Sequence, residues 1–237
     1  MDGSAWLNTT KYSLPMLLLF GIGCFGWVLA YVGVLQKIRT RRYVEIPAAA
    51  VVANIAWEFV WGFVFTTDMG LLFVWGYRIW FFLDVFITYS LFKYGPQQVA
   101  NATLRRWFAP ATVFGLAAWT AMLYFFVKQG MDSPYGGISG YLLNVMMSAL
   151  YIILLVQQGD LRDFSYLVAW SKMLGTGILS VFNVILVPQN GFLMVLCAVT
   201  FLLDVVYIVS FHVLAARQRA AAPVNPVNPA ALTSQVA

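Results

Sequence analysis

Seven long apolar runs constrain this chain more than any other feature, at about residues 14–36, 46–67, 71–92, 108–127, 138–156, 165–187 and 191–214. Each approaches the roughly 20 residues that a helix needs to cross the hydrocarbon core of a bilayer. Composition supports the same reading. The 237 residues are 62% hydrophobic and only 10% charged, whereas a globular surface calls for about a quarter charged residues. The expected fold class is therefore an all-α integral membrane protein, a multi-pass seven-transmembrane-helix bundle with the lipid bilayer as its surroundings. The first run is too long for a signal-peptide core and lacks a basic leader, so it is expected to stay as the first span.

Three regions follow: an extracytoplasmic segment 1–13, a helical domain 14–214 and a disordered cytoplasmic tail 215–237, the last read from its PVNPVNP run. The basic residues set the orientation. Lys37, Arg39, Arg41, Arg42, Lys93, Arg105, Arg106, Arg162, Arg217 and Arg219 fall on one side, against Lys11 and Lys128 on the other. The positive-inside rule then places the N-terminus outside and the C-terminus in the cytoplasm. The net charge of +5 is a topology signal, and without a basic stripe on a soluble domain it does not point to nucleic-acid binding. Cys24 and Cys197 lie in apolar runs without metal-type spacing, so neither a disulfide framework nor a zinc site is expected. Oligomeric state is not legible.

Of the 23 charged residues, Glu58, Arg78, Asp84, Lys172 and Asp204 fall inside spans. An ionisable group in hydrocarbon costs at least about 2.5 kcal/mol, so each needs a partner, a wet cavity or a task. From the helical rise, Glu58 lies roughly 18 Å from the inner end of its helix, and Asp84 and Asp204 roughly 20 Å from the outer ends of theirs. All three carboxyls are expected near mid-membrane, pointing into one closed aromatic pocket. Arg78 or Lys172 can each pair with one acid, but two cations cannot neutralise three carboxylates, so at least one acid is expected to hold a proton.

The surroundings of these acids carry the functional reading. Asn54 lies one turn before Glu58, with Trp57 and Trp61 beside it; Trp80 lies four residues before Asp84; Thr200 and Tyr207 share a face with Asp204. Burial disfavours the charged form of a carboxyl and leaves it able to act as a Brønsted acid. Aromatic faces stabilise a passing cation. Together these are the requirements of proton-initiated polyene cyclisation. The 9 Trp, 12 Tyr and 19 Phe exceed the needs of interfacial belts, although most of them are expected to serve packing or lipid contact. Asn144 and Asn183 read as interhelical hydrogen-bond formers, and His212 as a cap near the end of the last span.

The stretch IPAAAVVANIAWEFVWGF at 46–63 resembles the signature of the small membrane-bound terpene cyclases of fungal indole-diterpene and meroterpenoid pathways and their bacterial relatives. RIWFFLDVFITYSLFKYG at 78–95, WSKMLGT at 170–176 and FLLDVVYIV at 201–209 resemble the same family in the same order. The resemblance implies cyclisation of a linear isoprenoid, often carrying an aromatic or indole head, started by protonating an epoxide or terminal alkene. It places Glu58 and Asp204 as essential acids and Asp84 as a third. Asn54, Trp57, Trp61, Tyr77, Trp80, Tyr207 and Asn183 are the expected substrate-binding residues. No metal and no organic cofactor is implied, and the partner is a hydrophobic isoprenoid small molecule.

The alternative is a small seven-helix transporter of the PQ-loop kind, suggested by Pro96-Gln97 and Pro188-Gln189. A transporter predicts paired halves with broken helices, and these two dipeptides end non-equivalent spans. A retinal protein needs a lysine deep in the final span, and there is none.

Overall fold

A computed structural model of the chain describes residues 5–221. Within them it is all helix: α1 Leu14–Arg41, α2 Ala48–Phe59 continued by a π-helical turn Val60–Val64, α3 Leu71–Gln98, α4 Ala102–Lys128, α5 Gly137–Gln158, α6 Tyr166–Leu186 and α7 Gly191–Ala221. Six of these are long and apolar enough to cross a membrane, and Ala48–Val64 is a shorter apolar helix. Their outward faces expose Leu18, Phe25, Phe82, Phe114 and Leu202, which suits hydrocarbon and not water.

The helix ends follow local chemistry. Pro47 cannot continue a helix backwards and caps α2. The Asn101 side chain accepts from the Thr103 and Leu104 N–H groups at 2.9 and 3.1 Å and starts α4. Four helices run well past the expected boundaries, α1 to Arg41, α3 to Gln98, α7 to Ala221 and α4 back to Ala102, because hydropathy marks the apolar core of a helix and not the polar turns that extend it into the headgroup region. Residues 215–221, expected in the tail, are therefore helical; the rest of the tail and residues 1–4 lie outside the described residues. His212 is consequently not at a helix end. Its ring packs between Tyr166 and Trp170, with centroids 5.6 and 6.0 Å away.

Helix α1 lies along α6, α5 along α7, and α2 contacts α3, α4 and α5. The α1–α6 crossing depends on glycine: a Cβ on Gly26 would sit 2.7 Å from the Gly175 Cα, so the two backbones touch as small-residue crossings allow. Loops gather at two ends. At one, Asn8, Lys11 and Tyr12 bond to Asp68 or its backbone, and the Asp68 N–H reaches Pro134. At the other, the basic end, Lys37 donates to the Arg162 carbonyl at 2.9 Å and Glu45 accepts from the Ser165 N–H at 3.0 Å. The largest packed core contains Tyr31, Tyr151, Tyr207 and Phe211 together with aliphatic residues from the α1–α2 loop and from α1, α2, α3, α5, α6 and α7. What packing leaves open lies beside it, among α1, α2, α3, α5 and α6.

Candidate active site

Helix α1 presents Phe20, Cys24, Trp27 and Tyr31 at helical spacing to a cavity of about 110 Å³. From Phe20 to Tyr31 that stripe covers about 16 Å along the helix axis. Helix α2 contributes Asn54, Trp57 and Glu58, α3 contributes Tyr77 and Trp80, and the α4–α5 loop with α5 contributes Tyr135, Tyr141 and Asn144; Leu179 and Asn183 of α6 complete the wall. Glu58 is the only ionisable carboxyl in this lining, which contains no Lys, Arg or His.

Glu58 is 4% exposed. Its Oε1 accepts the Tyr31 hydroxyl at 2.8 Å, and its Oε2 has no protein partner. The π-helical turn begins two residues later, the kind of local irregularity that helices accept beside functional groups. In that turn the Gly62 carbonyl accepts from Arg78 Nε at 2.9 Å, and the guanidinium lies over Trp75 and Phe63 at 5.0 and 5.6 Å. Among the described residues Arg78 thus pairs with none of the acids.

Asp84 is 1% exposed and adjoins Glu58 and Tyr31 closely enough to share a proton with the Glu58 carboxyl, and among the described residues no N–H donor reaches either of its oxygens. It sits behind the cavity wall, one turn from Trp80. Asp204 is elsewhere. Its Oδ1 accepts from Lys172 Nζ at 2.5 Å, and the same ammonium donates to Ser148 Oγ at 2.6 Å. The expectation of three acids around one pocket is corrected accordingly: Glu58 lines it, Asp84 abuts Glu58, and Asp204 is neutralised in a packed region by Lys172. The sequence placed all three at one depth, but depth alone does not say on which side of each helix a neighbour's charge will lie.

Among the expected binding residues, Asn54, Trp57, Tyr77, Trp80 and Asn183 line the cavity, whereas Trp61 and Tyr207 do not. Trp61 backs Trp57 at a centroid distance of 6.4 Å, and Tyr207 packs on Tyr151 at 5.3 Å. Asn183 accepts the Tyr135 hydroxyl at 2.8 Å, but Asn144 bonds its own helix at the Gly140 carbonyl and leaves Oδ1 without a partner. Tyr31, Trp27, Tyr135 and Tyr141 were missed. For α1 the signal was available, as Phe20, Cys24, Trp27 and Tyr31 recur on one helical face; for Tyr135, in a loop, no periodicity exists to read.

The wall is an aromatic ladder. Trp57 meets Tyr77 edge to face at 5.0 Å, and Tyr77 stacks on Trp80 at 6.0 Å. A neutral, apolar guest suits such a lining, in which aromatic faces predominate and no Lys, Arg or His lies.

A sequence model of the Pyr4-like transmembrane terpene cyclases matches residues 11–218. Terpene cyclase cle7 of Aspergillus versicolor is 26% identical over 172 residues, 70% of each chain. Terpene cyclase dpmpB of Macrophomina phaseolina is 24% identical over 174 residues, 73% of this chain and 67% of its own. Terpene cyclase pyr4 of Aspergillus fumigatus is 22% identical over 165 residues, 66% of this chain and 65% of its own. No solved structure matches this chain.

Proposed function

Because the chain belongs to the Pyr4-like transmembrane terpene cyclases, we propose that it cyclises a linear isoprenoid or a prenylated aromatic or indole compound, starting by proton transfer from Glu58. The observation that carries this reading is the buried Glu58, the one carboxyl among the residues that line an aromatic cavity whose lining holds no cation. The transporter alternative is not favoured by family membership.

Two adjacent carboxyls with no cation beside them cannot both ionise cheaply, so Glu58 and Asp84 hold at least one proton between them. Since Glu58 Oε1 accepts the Tyr31 hydroxyl, the acidic proton sits on Oε2. In the first step Oε2–H protonates the epoxide oxygen, or the less substituted carbon of the terminal alkene. In the epoxide a lone pair of the oxygen takes the proton and the C–O bond breaks with its pair going to that oxygen, which becomes a hydroxyl. In the alkene the π pair forms the new C–H bond; either way a tertiary cation is left. Each internal alkene then supplies a π pair for a new C–C bond and passes the charge along the chain. The last cation loses a proton to the Glu58 carboxylate, which restores the acid, so product and substrate are isomers and neither metal nor organic cofactor takes part. During the cascade the faces of Trp57, Tyr77 and Trp80 stabilise positive charge through their quadrupoles.

Asp204 has two candidate roles: sharing the proton with Glu58, or staying ionised. The Lys172 contact supports the second, with Asp84 as the sharing partner. The lining also favours a neutral substrate over a diphosphate, whose charge would need cations. The basic loops put this end of the bundle in the cytoplasm and the N-terminus outside.

The test is to supply membranes carrying the chain with farnesyl and geranylgeranyl compounds, epoxidised and not, with and without an aromatic head, and to search for isomeric products by mass spectrometry. We expect isomers from wild type and none from Glu58→Gln. Equal yields from both would remove Glu58 from its role.

A further inference from the structure

The α4–α5 loop lies outside the spans and carries none of the three mid-span acids, yet two rungs of the aromatic ladder are tied to it and to the first turn of α5. Trp57 Nε1 donates to Ser139 Oγ at 2.8 Å, and the Ser139 hydroxyl donates in turn to Asp132 Oδ2. The direction of this relay is forced, because an indole N–H only donates and a carboxylate only accepts. Asp132 is itself held: its Oδ1 accepts the N–H groups of Ser133, Ile138 and Ser139 at 2.8, 2.9 and 3.2 Å. The loop also presses directly on the indole. Gly136 has φ 79°, and a Cβ there would lie 2.7 Å from Trp57 Cζ2 and 2.9 Å from Trp61 Cε2. One residue earlier, the Tyr135 carbonyl accepts the Tyr77 hydroxyl at 3.0 Å.

We propose that Asp132, acting through Ser139, is a positioning residue that sets the angle of the Trp57 indole and thereby decides which rings the cascade closes. The proposal rests on the cyclase reading above. A ring face stabilises a cation only within about 6 Å of its centroid and over its face, so the position at which charge lingers, and from which a proton is lost, follows the tilt of Trp57 and of Tyr77 packed against it. Without the carboxylate, the Ser139 hydroxyl is free to turn toward the Gly136 carbonyl, 3.4 Å away, and the indole loses its fixed acceptor. Initiation at Glu58 involves none of these groups.

Two measurements test this. Using a farnesyl hydroquinone with a terminal epoxide as probe, Asp132→Asn and Ser139→Ala should consume it within about threefold of wild type. The ratio of fully cyclised to partly cyclised isomers should fall by about tenfold, and Ser139→Thr, which keeps the hydroxyl, should restore it. In a Trp57→Phe background Asp132→Asn should add nothing to the ratio, as members of one unit behave in a double-mutant cycle. Independently of turnover, the indole ¹⁵N–¹H resonance that disappears in Trp57→Phe should move upfield in Asp132→Asn and Ser139→Ala. An unmoved resonance, an unchanged product ratio, or a parallel loss of consumption and of all products would each overturn the proposal. Failure of the cyclase reading looks different: wild type and Glu58→Gln then treat the probe alike, and the resonance alone decides the relay.

Discussion

Two buried acids in this bundle meet opposite surroundings. Asp204 has a lysine at 2.5 Å and is buried outside the lining of the aromatic cavity, whereas Glu58 lines that cavity with a tyrosine and a second carboxyl as its polar neighbours. The first arrangement stabilises a charge and uses it to join α5, α6 and α7 through Ser148, Lys172 and Asp204. The second leaves a carboxyl without a cation beside a cavity, the setting that the proposed acid requires. A membrane protein can therefore bury an acid for architecture or for chemistry, and what separates the two is the sign and distance of the nearest charge.

Substitutions that exchange these surroundings sharpen the contrast. Glu58→Gln keeps the shape and removes the acid; product formation should fall by about 10²- to 10⁴-fold, the usual worth of a general acid, with expression and thermal unfolding near wild type. Lys172→Met should instead act on the fold, leaving Asp204 buried and unpaired at a cost of about 3 to 5 kcal/mol. Thermal unfolding in detergent measures this, and Lys172→Met with Asp204→Leu should recover most of the loss. Asp84→Asn should slow the first turnover by about tenfold without the stability loss of Lys172→Met, because no cation depends on Asp84; an equal loss of stability would erase the distinction between the two acids. Asp204→Asn should yield isomers with fewer rings if its charge supports the cascade, and only recovered substrate if it shares the Glu58 proton.

The smallest effect concerns a fourth acid, at the basic end. Burial pushes the Glu45 carboxyl up to about 8, against the opposing pull of the Ser165 N–H and of Lys37. Its folded-state value lies above its unfolded one, so the stability it contributes is complete at pH 4 and is lost as the pH rises through about 8. Unfolding temperatures should fall between pH 5 and pH 8, and Glu45→Gln, which mimics the protonated form and keeps an acceptor for Ser165, should flatten that slope. A slope unchanged in Glu45→Gln would mean that another group titrates.

The legible parts of this protein were those written in local chemistry. Apolar runs located every helix to within a few residues, and Glu58 stood out because a carboxylate inside such a run needs a reason. Trp57, Tyr77 and Trp80 reached the site list through their spacing from acids or through resemblance to a family. The errors have one origin. Trp61 and Tyr207 satisfied the same spacing rules, yet one lies behind the cavity wall and the other in the packed core, since periodicity gives the face of a helix but not what the adjoining helices place against it.

By itself, then, the sequence determined the membrane environment, the helices, the three buried acids within the spans, though not Glu45, and, through four motifs in order, the family. Tertiary structure decided which acid is paired and which is free. Lys172 and Asp204 are 32 residues apart and meet only because α6 packs on α7, and Tyr31 reaches Glu58 across 27 residues. The Coulomb energy of such contacts depends on separation in space, and chain spacing specifies that separation only within a single helix.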